Sequence, residues 1–165
     1  MDILDIVLTI INVILAVVSG VGAYKSLKYF RKSHNLTIYA QTNKALIEIQ
    51  KMLIKLPEAL SASNMGMRGK KGFSLQNTLC NIGQELNSSL IEIRSSLPSE
   101  YTHEFGSLQD DTSFSLQKYI NSFISGEAVT ENGIDSTEYN LCQTRLVAMQ
   151  DYLKRIVSET EEKLK

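Results

Sequence analysis

Glutamate and histidine stand three residues apart at Glu100 and His103. On a helix this spacing places two metal ligands on one face, as in the di-iron sites of four-helix bundles. Such a site needs a second Glu-x-x-His pair and two further carboxylates. The only other histidine, His34, lies in a basic segment with no glutamate three residues before it. The sequence therefore predicts no metal site.

Two further patterns could carry chemistry, a nucleophilic thiol and a phosphate-binding loop. Cys80 and Cys142 have no histidine nearby in the sequence to activate a thiolate, and their spacing fits neither a disulfide framework nor a zinc site. Glycines at 66, 69 and 72 stand close to Lys70 and Lys71, but a phosphate loop needs Gly-Lys-Ser/Thr after a strand. We expect reduced, buried thiols, no catalytic residues, no cofactor and no small-molecule substrate. The prediction is a protein that is not an enzyme.

Charge is distributed in blocks along the chain, although the net charge is only −1. Residues 25–71 contain ten Lys or Arg and two Glu, whereas residues 72–165 contain seven basic and fourteen acidic residues. Such asymmetry predicts that the basic part faces an anionic surface. We predict no nucleic-acid binding, because no aromatic residues are interleaved with the basic ones and no reading motif is present. Membrane lipid is the nearest anionic surface.

An uncharged, apolar run occupies residues 6–24. As a helix its nineteen residues span about 28 Å, close to the thickness of the hydrocarbon core of a bilayer. A signal peptide would begin with positive charge, whereas residues 1–5 contain two aspartates. The run therefore predicts a single transmembrane helix.

A basic juxtamembrane segment, residues 25–35, follows the predicted span. Its cationic residues are Lys25, Lys28, Arg31 and Lys32. The positive-inside rule then places residues 1–5 outside and the bulk of the chain in the cytoplasm. We expect these four residues to fix the topology and to attract anionic lipid headgroups. Lysines 44, 51 and 55, together with Arg68, Lys70 and Lys71, either fold back onto the membrane or pair with the acidic later helices.

Small and polar residues recur at three- or four-residue steps on one face of the predicted span. They are Thr9, Asn12, Ala16, Ser19, Gly20 and Ala23. Small residues let helices approach closely, and a buried amide gains by hydrogen bonding to a partner helix. The face therefore predicts self-association or docking on another membrane protein. Two alternatives are a chance pattern and an oligomeric pore lined by Thr9, Asn12 and Ser19.

A long helix is predicted after the span, either continuous with it or restarting near residues 33–35. Its apolar stripe has coiled-coil-like spacing and consists of Tyr39, Thr42, Leu46, Ile49, Leu53 and Leu56. We expect Pro57 to stop or bend this helix. Residues 61–73 are predicted to form a flexible basic loop, because their glycines and small polar residues cannot bury a face.

The later helices are marked by apolar periodicity and by caps. The second stripe is Leu75, Leu79, Ile82, Leu86, Leu90, Ile93 and Leu97, and the last is Cys142, Leu146, Met149, Leu153 and Ile156. Shorter helices are predicted from Ser99 and after Asp110–Asp111, the latter capped by these aspartates and ended at Gly126. Asp135 is predicted to cap the final helix, and residues 158–165 to fray. No strand pattern is evident.

These elements predict an all-α protein in which one transmembrane helix precedes a cytoplasmic domain, residues 36–165. The expected domain is an up-and-down bundle of three to four amphipathic helices. The layout is typical of small bacterial and phage membrane proteins and favours a prokaryotic inner membrane. We predict a membrane-anchored interaction, scaffold or regulatory module with a protein partner or its own copies. The alternative is an oligomeric, membrane-permeabilising or channel-like subunit.

Overall fold

The computed structural model describes residues 3–66, 72–130 and 133–165, and within them the side chains of residues 11–63, 74–128 and 133–165. These residues form five α-helices: α1 (Ile3–Gly66), α2 (Gly72–Ser96), α3 (Thr102–Gln109), α4 (Leu116–Ser125) and α5 (Ser136–Leu164). A 3-10 turn, Ser99–Tyr101, precedes α3. The all-α prediction is confirmed. An antiparallel hairpin of two-residue strands, β1 (Val129–Thr130) and β2 (Gly133–Ile134), is an addition that the sequence did not indicate.

The first helix, α1, continues unbroken for 64 residues, or about 96 Å at the usual helical rise. It passes through residues 33–35 without interruption, and it also passes through Pro57, where we expected a stop or a bend. Proline removes one hydrogen bond from a helix. Leu56 and Ala59 on either side of it are buried, so packing keeps the chain helical there.

The predicted loop at residues 61–73 is too long at both ends. Residues 61–66 are the last turns of α1, and α2 already begins at Gly72. Ser63 is fully buried, which shows that the packed face of α1 continues beyond Pro57. Residues 67–71, the central part of the predicted loop, lie outside the described residues.

The buried seam of α1 coincides with the predicted stripe at three positions and lies one residue earlier at the other three. Its fully buried members are Ile38, Thr42, Ala45, Ile49, Met52, Leu56, Ala59 and Ser63. Thr42, Ile49 and Leu56 were predicted, whereas Leu46 and Leu53 only flank the seam and are partly buried. Small residues occupy several central positions because other helices pack closely against them, a preference that hydrophobicity alone does not reveal.

Two long helices pack along the second half of α1. Lys44 pairs with Glu92, and Lys55 pairs with Glu85, so α2 runs antiparallel to α1. The other long neighbour is α5, which also returns toward the first half of α1 and has its C-terminal residues beside Lys28. The predicted stripes of α2 and α5 form the core, except that Leu75 is only partly buried.

The shorter helices complete the core. Gly83 of α2 lies against α4, where an added Cβ would be only 2.8 Å from a side-chain carbon of Ile124. On α3, Phe105 is buried, and Glu104 accepts hydrogen bonds from Tyr152 (3.1 Å) and Arg155 (3.2 Å) of α5. These contacts fix both short helices on the long ones.

Capping residues fix the boundaries of α4 and α5. Gly126 ends α4 with a φ of 83°, and the Asp135 carboxylate accepts hydrogen bonds from the backbone N–H groups at the start of α5, as predicted. The cap predicted at Asp110–Asp111 is wrong. Ser115 caps α4, whereas Asp111 accepts hydrogen bonds from Ser113 and Phe114 within the preceding turn.

The charged end of the chain is helical where we expected fraying. The last helix, α5, continues to Leu164, and Thr160 is almost completely buried. The Thr160 hydroxyl donates a hydrogen bond to the Ile156 carbonyl oxygen (2.7 Å), which satisfies its buried polar atom. Contact with α1 therefore holds the last turns in place.

Candidate functional site

Residues 11–24 of α1 expose a largely apolar surface. Every residue from 11 to 34 is exposed, and Val18, for example, keeps 63% of its surface accessible. Soluble proteins rarely leave so large a continuous apolar surface uncovered. Within the described residues, α1 is the one helix that is long and apolar enough to cross a membrane, and none of its apolar window is buried by the rest of the chain.

The predicted packing face lies within this exposed surface. Asn12, Ala16, Ser19, Gly20 and Ala23 are all exposed. A Cβ added at Gly20 would meet no atom within 4 Å. The side chain of Thr9, the remaining member of the face, lies outside the described residues. Among the described residues no element of the chain covers this face, so it is available to a second helix.

The four predicted topology residues, Lys25, Lys28, Arg31 and Lys32, continue along the same exposed helix. None of them forms an ion pair with any side chain in the described ranges. Their ammonium and guanidinium groups are therefore accessible to an external anion.

The later lysines of α1 have a different environment. Lys44 pairs with Glu92 of α2, and Lys51 contacts Glu48 at 2.5 Å. Lys55 lies 3.0 Å from Glu58 and 3.1 Å from Glu85. Pairing with a later acidic helix, one of the two alternatives for these lysines, is confirmed for Lys44 and Lys55, whereas Lys51 pairs with Glu48 of α1 itself.

Sequence reasoning did not anticipate a cleft where the end of α5 lies beside the basic segment of α1. The cleft has a volume of about 750 Å³ and is lined by Tyr24, Leu27, Lys28, Arg31, Lys32 and Asn35 of α1 and by Lys163, Leu164 and Lys165 of α5. Five of its nine lining residues are cationic, and none is acidic. The one signal in the sequence was Thr160, four residues after Ile156, which extends the buried stripe of α5 toward these lysines.

The Glu-x-x-His pair and the two cysteines are not among the residues that line this cleft. Glu100 and His103 are solvent-exposed, and the described residues contain no group of three or more His, Cys, Asp or Glu side chains placed to hold a metal ion. Both cysteines are free, Cys142 fully buried and Cys80 half-buried. Burial raises the pKa of the Cys142 thiol to about 12, which makes it a poor nucleophile.

Burial also raises the pKa of the Tyr119 phenol well above its usual range. Its ring packs edge-on against Phe123, with 5.0 Å between the ring centroids. This tyrosine therefore remains neutral and contributes to the core between α4 and α5.

Comparison with known proteins gives no relative: the sequence matches no protein-family model, and no curated protein or solved structure is significantly similar to it. The function is therefore inferred from the surfaces described above, namely an apolar helix, an unpaired basic segment and the cleft beside it.

Proposed function

We propose that this chain is a single-pass, membrane-anchored and non-enzymatic interaction module. Residues 6–24 cross the bilayer, residues 1–5 lie outside, and the helical bundle works at the cytoplasmic face of a prokaryotic inner membrane. The bundle carries a scaffold or regulatory role by binding a protein partner or further copies of this chain. Anionic headgroups hold the juxtamembrane residues.

One observation carries the proposal: α1 is a continuous helix in which residues 11–24 are apolar and exposed, whereas one face of its second half is buried in the bundle. An apolar helix of this length is stable when lipid covers it. The unpaired cations at 25–32 begin where the apolar run ends, which supports the proposed orientation.

The small-residue face supports an interaction role. It is uncovered by any described part of the chain, and its Asn12 amide has no partner within the described residues. In lipid such an amide gains by hydrogen bonding across a helix pair, by about 1 kcal/mol. Association of two copies through this face would satisfy the amide and let the helices approach closely at Ala16 and Gly20.

Disulfide cross-linking in native membranes tests this association. Ala16→Cys lies on the proposed face, and Val18→Cys lies on the opposite side of the helix at nearly the same depth. The expected result is a cross-linked dimer for Ala16→Cys and little for Val18→Cys, above the background that Cys80 and Cys142 give in the unmodified chain. Equal yields for the two variants, or none, contradict pairing through this face.

Membrane anchoring is tested separately. The full chain should resist extraction from membranes with alkaline carbonate, and a tag after residue 165 should be digested by protease in inverted vesicles but not in right-side-out ones. Extraction into the soluble fraction would remove the anchor from the proposal, and the opposite digestion pattern would reverse its orientation.

An oligomeric pore is the second candidate function, because Asn12 and Ser19 place polar groups on an otherwise apolar, exposed helix surface. Expression with a membrane-potential dye separates it from simple pairing. If the helices form a pore, the unmodified chain depolarises the membrane, and Asn12→Leu abolishes the depolarisation. Absence of depolarisation by the unmodified chain discards the pore.

A further inference from the structure

We propose that the cleft between the basic segment of α1 and the end of α5 binds the headgroup of one anionic phospholipid that carries more than one negative charge. The inference rests on the proposed membrane anchoring and goes beyond it. General attraction to an anionic bilayer needs only the cations of α1, whereas this site requires two parts of the chain that are distant in sequence.

The charges of the cleft support an anionic ligand. Lys28, Arg31 and Lys32 face Lys163 and Lys165, and no acidic residue lines the space between them. The three cations of α1 form no ion pair with any described side chain. Lys165, which directly follows α5, lies 3.4 Å from Glu161 of that helix, in a pair that is largely exposed and therefore weak.

Like charges drawn together by folding require a counter-charge. The C-terminal end of α5 supplies part of it, because the carbonyl groups of the last turn carry a partial negative charge equivalent to about half an elementary charge. Five cations exceed that amount and the single charge of Glu161 together, and a phosphate-bearing ligand with two or more negative charges would balance much of the remainder. Arginine and lysine are the residues that bind phosphate oxygens best in proteins.

The position of the cleft favours a lipid over a soluble phosphate compound. Tyr24, the last residue of the predicted span, is one of the residues that line the cleft. A second groove shares Tyr24, Lys28 and Lys32 and continues down α1 to Gly20 and Val21, within the apolar helix. A phospholipid fits both features, because its headgroup can occupy the cleft while an acyl chain lies against the exposed side chain of Val21, outside the small-residue face.

Native mass spectrometry of the full chain, purified with its membrane helix intact, tests the site by counting the lipids that stay bound. Mixed micelles would contain cardiolipin, with two phosphates, or phosphatidylglycerol, with one, at equal total charge, and phosphatidylcholine as the baseline. We expect one cardiolipin to be retained with roughly tenfold preference over phosphatidylglycerol.

Removing the α5 side of the cleft with the double variant Lys163→Gln/Lys165→Gln should weaken cardiolipin retention roughly tenfold, the order expected when two cations are taken from a lipid-binding surface. Lys118→Gln/Lys154→Gln removes the same charge from exposed positions on α4 and α5 outside the cleft and should leave retention unchanged. Lys28→Gln, on the α1 side, should also weaken it.

Equal retention of the two lipids at matched charge would overturn the inference, and so would equal losses of cardiolipin in the cleft variant and the control variant. Displacement of cardiolipin by millimolar inorganic pyrophosphate would also overturn it, because the cleft would then bind a soluble phosphate compound. Failure of cross-linking at Ala16→Cys leaves the lipid site standing. Lipid retention by a monomeric chain would accordingly separate this inference from the proposed self-association.

Discussion

In the first half of α1, residues 11–34, valines and isoleucines are exposed, whereas in the second half Ile49 and Met52 are buried completely or nearly so. The lysines follow the same division: Lys28 has no ion-pair partner among the described side chains, but Lys44 pairs with Glu92. Isoleucines and lysines occur on both sides of residue 35, and their surroundings differ because α2 and α5 pack along the second half. One helix therefore lies in two environments. By our proposal lipid surrounds its first half, whereas the protein core covers one face of its second half.

The largest expected effect that tests this division is loss of a buried isoleucine. Ile49→Ala should lower the free energy of unfolding of the bundle by about 2–5 kcal/mol, because it removes buried methyl groups and leaves a cavity. Unfolding of the detergent-solubilised full chain by urea, followed by circular dichroism, measures it.

Two matched substitutions control for the change from isoleucine to alanine. Ile54 in the second half is 66% exposed, and Ile14 in the first half is 56% exposed. Replacing either one by alanine should change the unfolding free energy by less than about 0.5 kcal/mol. A similar loss at all three positions would show that the two halves of α1 are not distinct.

Glycine substitutions should give the next largest effect. A Cβ at Gly83 would lie 2.8 Å from Ile124 and 2.9 Å from the Phe123 Cβ, too close for α2 and α4 to accept without movement. Gly83→Ala should therefore destabilise the bundle by about 1–3 kcal/mol, as overpacking does. Thermal unfolding followed by circular dichroism measures the shift.

Gly106 and Gly20 provide the comparison, because a Cβ at either meets no atom within 4 Å. Gly106→Ala in α3 should raise the free energy of unfolding by several tenths of a kcal/mol to about 1 kcal/mol, because alanine has a higher helix propensity than glycine. Gly20→Ala should leave bundle unfolding unchanged and instead weaken the Ala16→Cys cross-link. Destabilisation at Gly106 as large as at Gly83 would argue against the close packing of α2 on α4.

Lysine substitutions in the two halves of α1 should give a smaller difference in the free energy of unfolding. Lys44→Gln should lower the unfolding free energy by at most about 1 kcal/mol, because its ion pair with Glu92 is solvent-exposed. That loss should disappear in high salt, which screens exposed charges. Lys28→Gln should leave unfolding unchanged at any salt concentration; an equal loss for the two variants in low salt would contradict the assignment of separate roles.

The smallest expected effect is a dependence of stability on pH that belongs to the second half alone. A hydrogen bond from Lys51 lowers the pKa of the Glu48 carboxyl, which also accepts a hydrogen bond from Ser89 of α2 at 2.9 Å. Since the folded-state pKa lies below the unfolded value of about 4.3, the carboxylate stabilises the fold above that value. Its contribution is lost as the pH falls through the folded-state pKa.

Urea unfolding of the detergent-solubilised chain between pH 5.5 and 3 measures this contribution, with pH values chosen to bracket the unfolded pKa of about 4.3. Stability should fall less steeply with decreasing pH in Glu48→Gln than in the unmodified chain. Glu127→Gln, which removes one exposed charge near the hairpin, is the control. An unchanged slope in Glu48→Gln would mean that the contact with α2 contributes nothing measurable.

Much of the helical fold was predictable from local patterns. Apolar residues at three- and four-residue steps located α2 and α5, and the caps at Gly126 and Asp135 depend on residues adjacent in sequence. Predictions failed where distant packing outweighs a local preference. Pro57 did not end α1, Ala45 is buried where hydrophobicity favoured Leu46, and Ser63 is buried in a segment predicted to be a loop.

The candidate site likewise combines features that the sequence predicted with one that it did not. Sequence alone identified the apolar run, the four cations after it and the small-residue face, because each is a continuous or periodic feature of one helix. It did not identify the cleft, since Lys163 and Lys165 read as part of a charged, fraying tail. Their contribution depends on how long α5 is and where its end lies.

The sequence by itself determined that this chain is helical, that one segment is apolar enough to cross a membrane, and that positive charge gathers at one end of that segment. These properties follow from residue type and from spacing within one helix. Tertiary structure alone decided which lysines of α1 are paired and which are open, and which helix end lies beside the open ones. The physical reason is that burial and ion pairing depend on neighbours from α2 and α5, which packing rather than sequence order brings to α1.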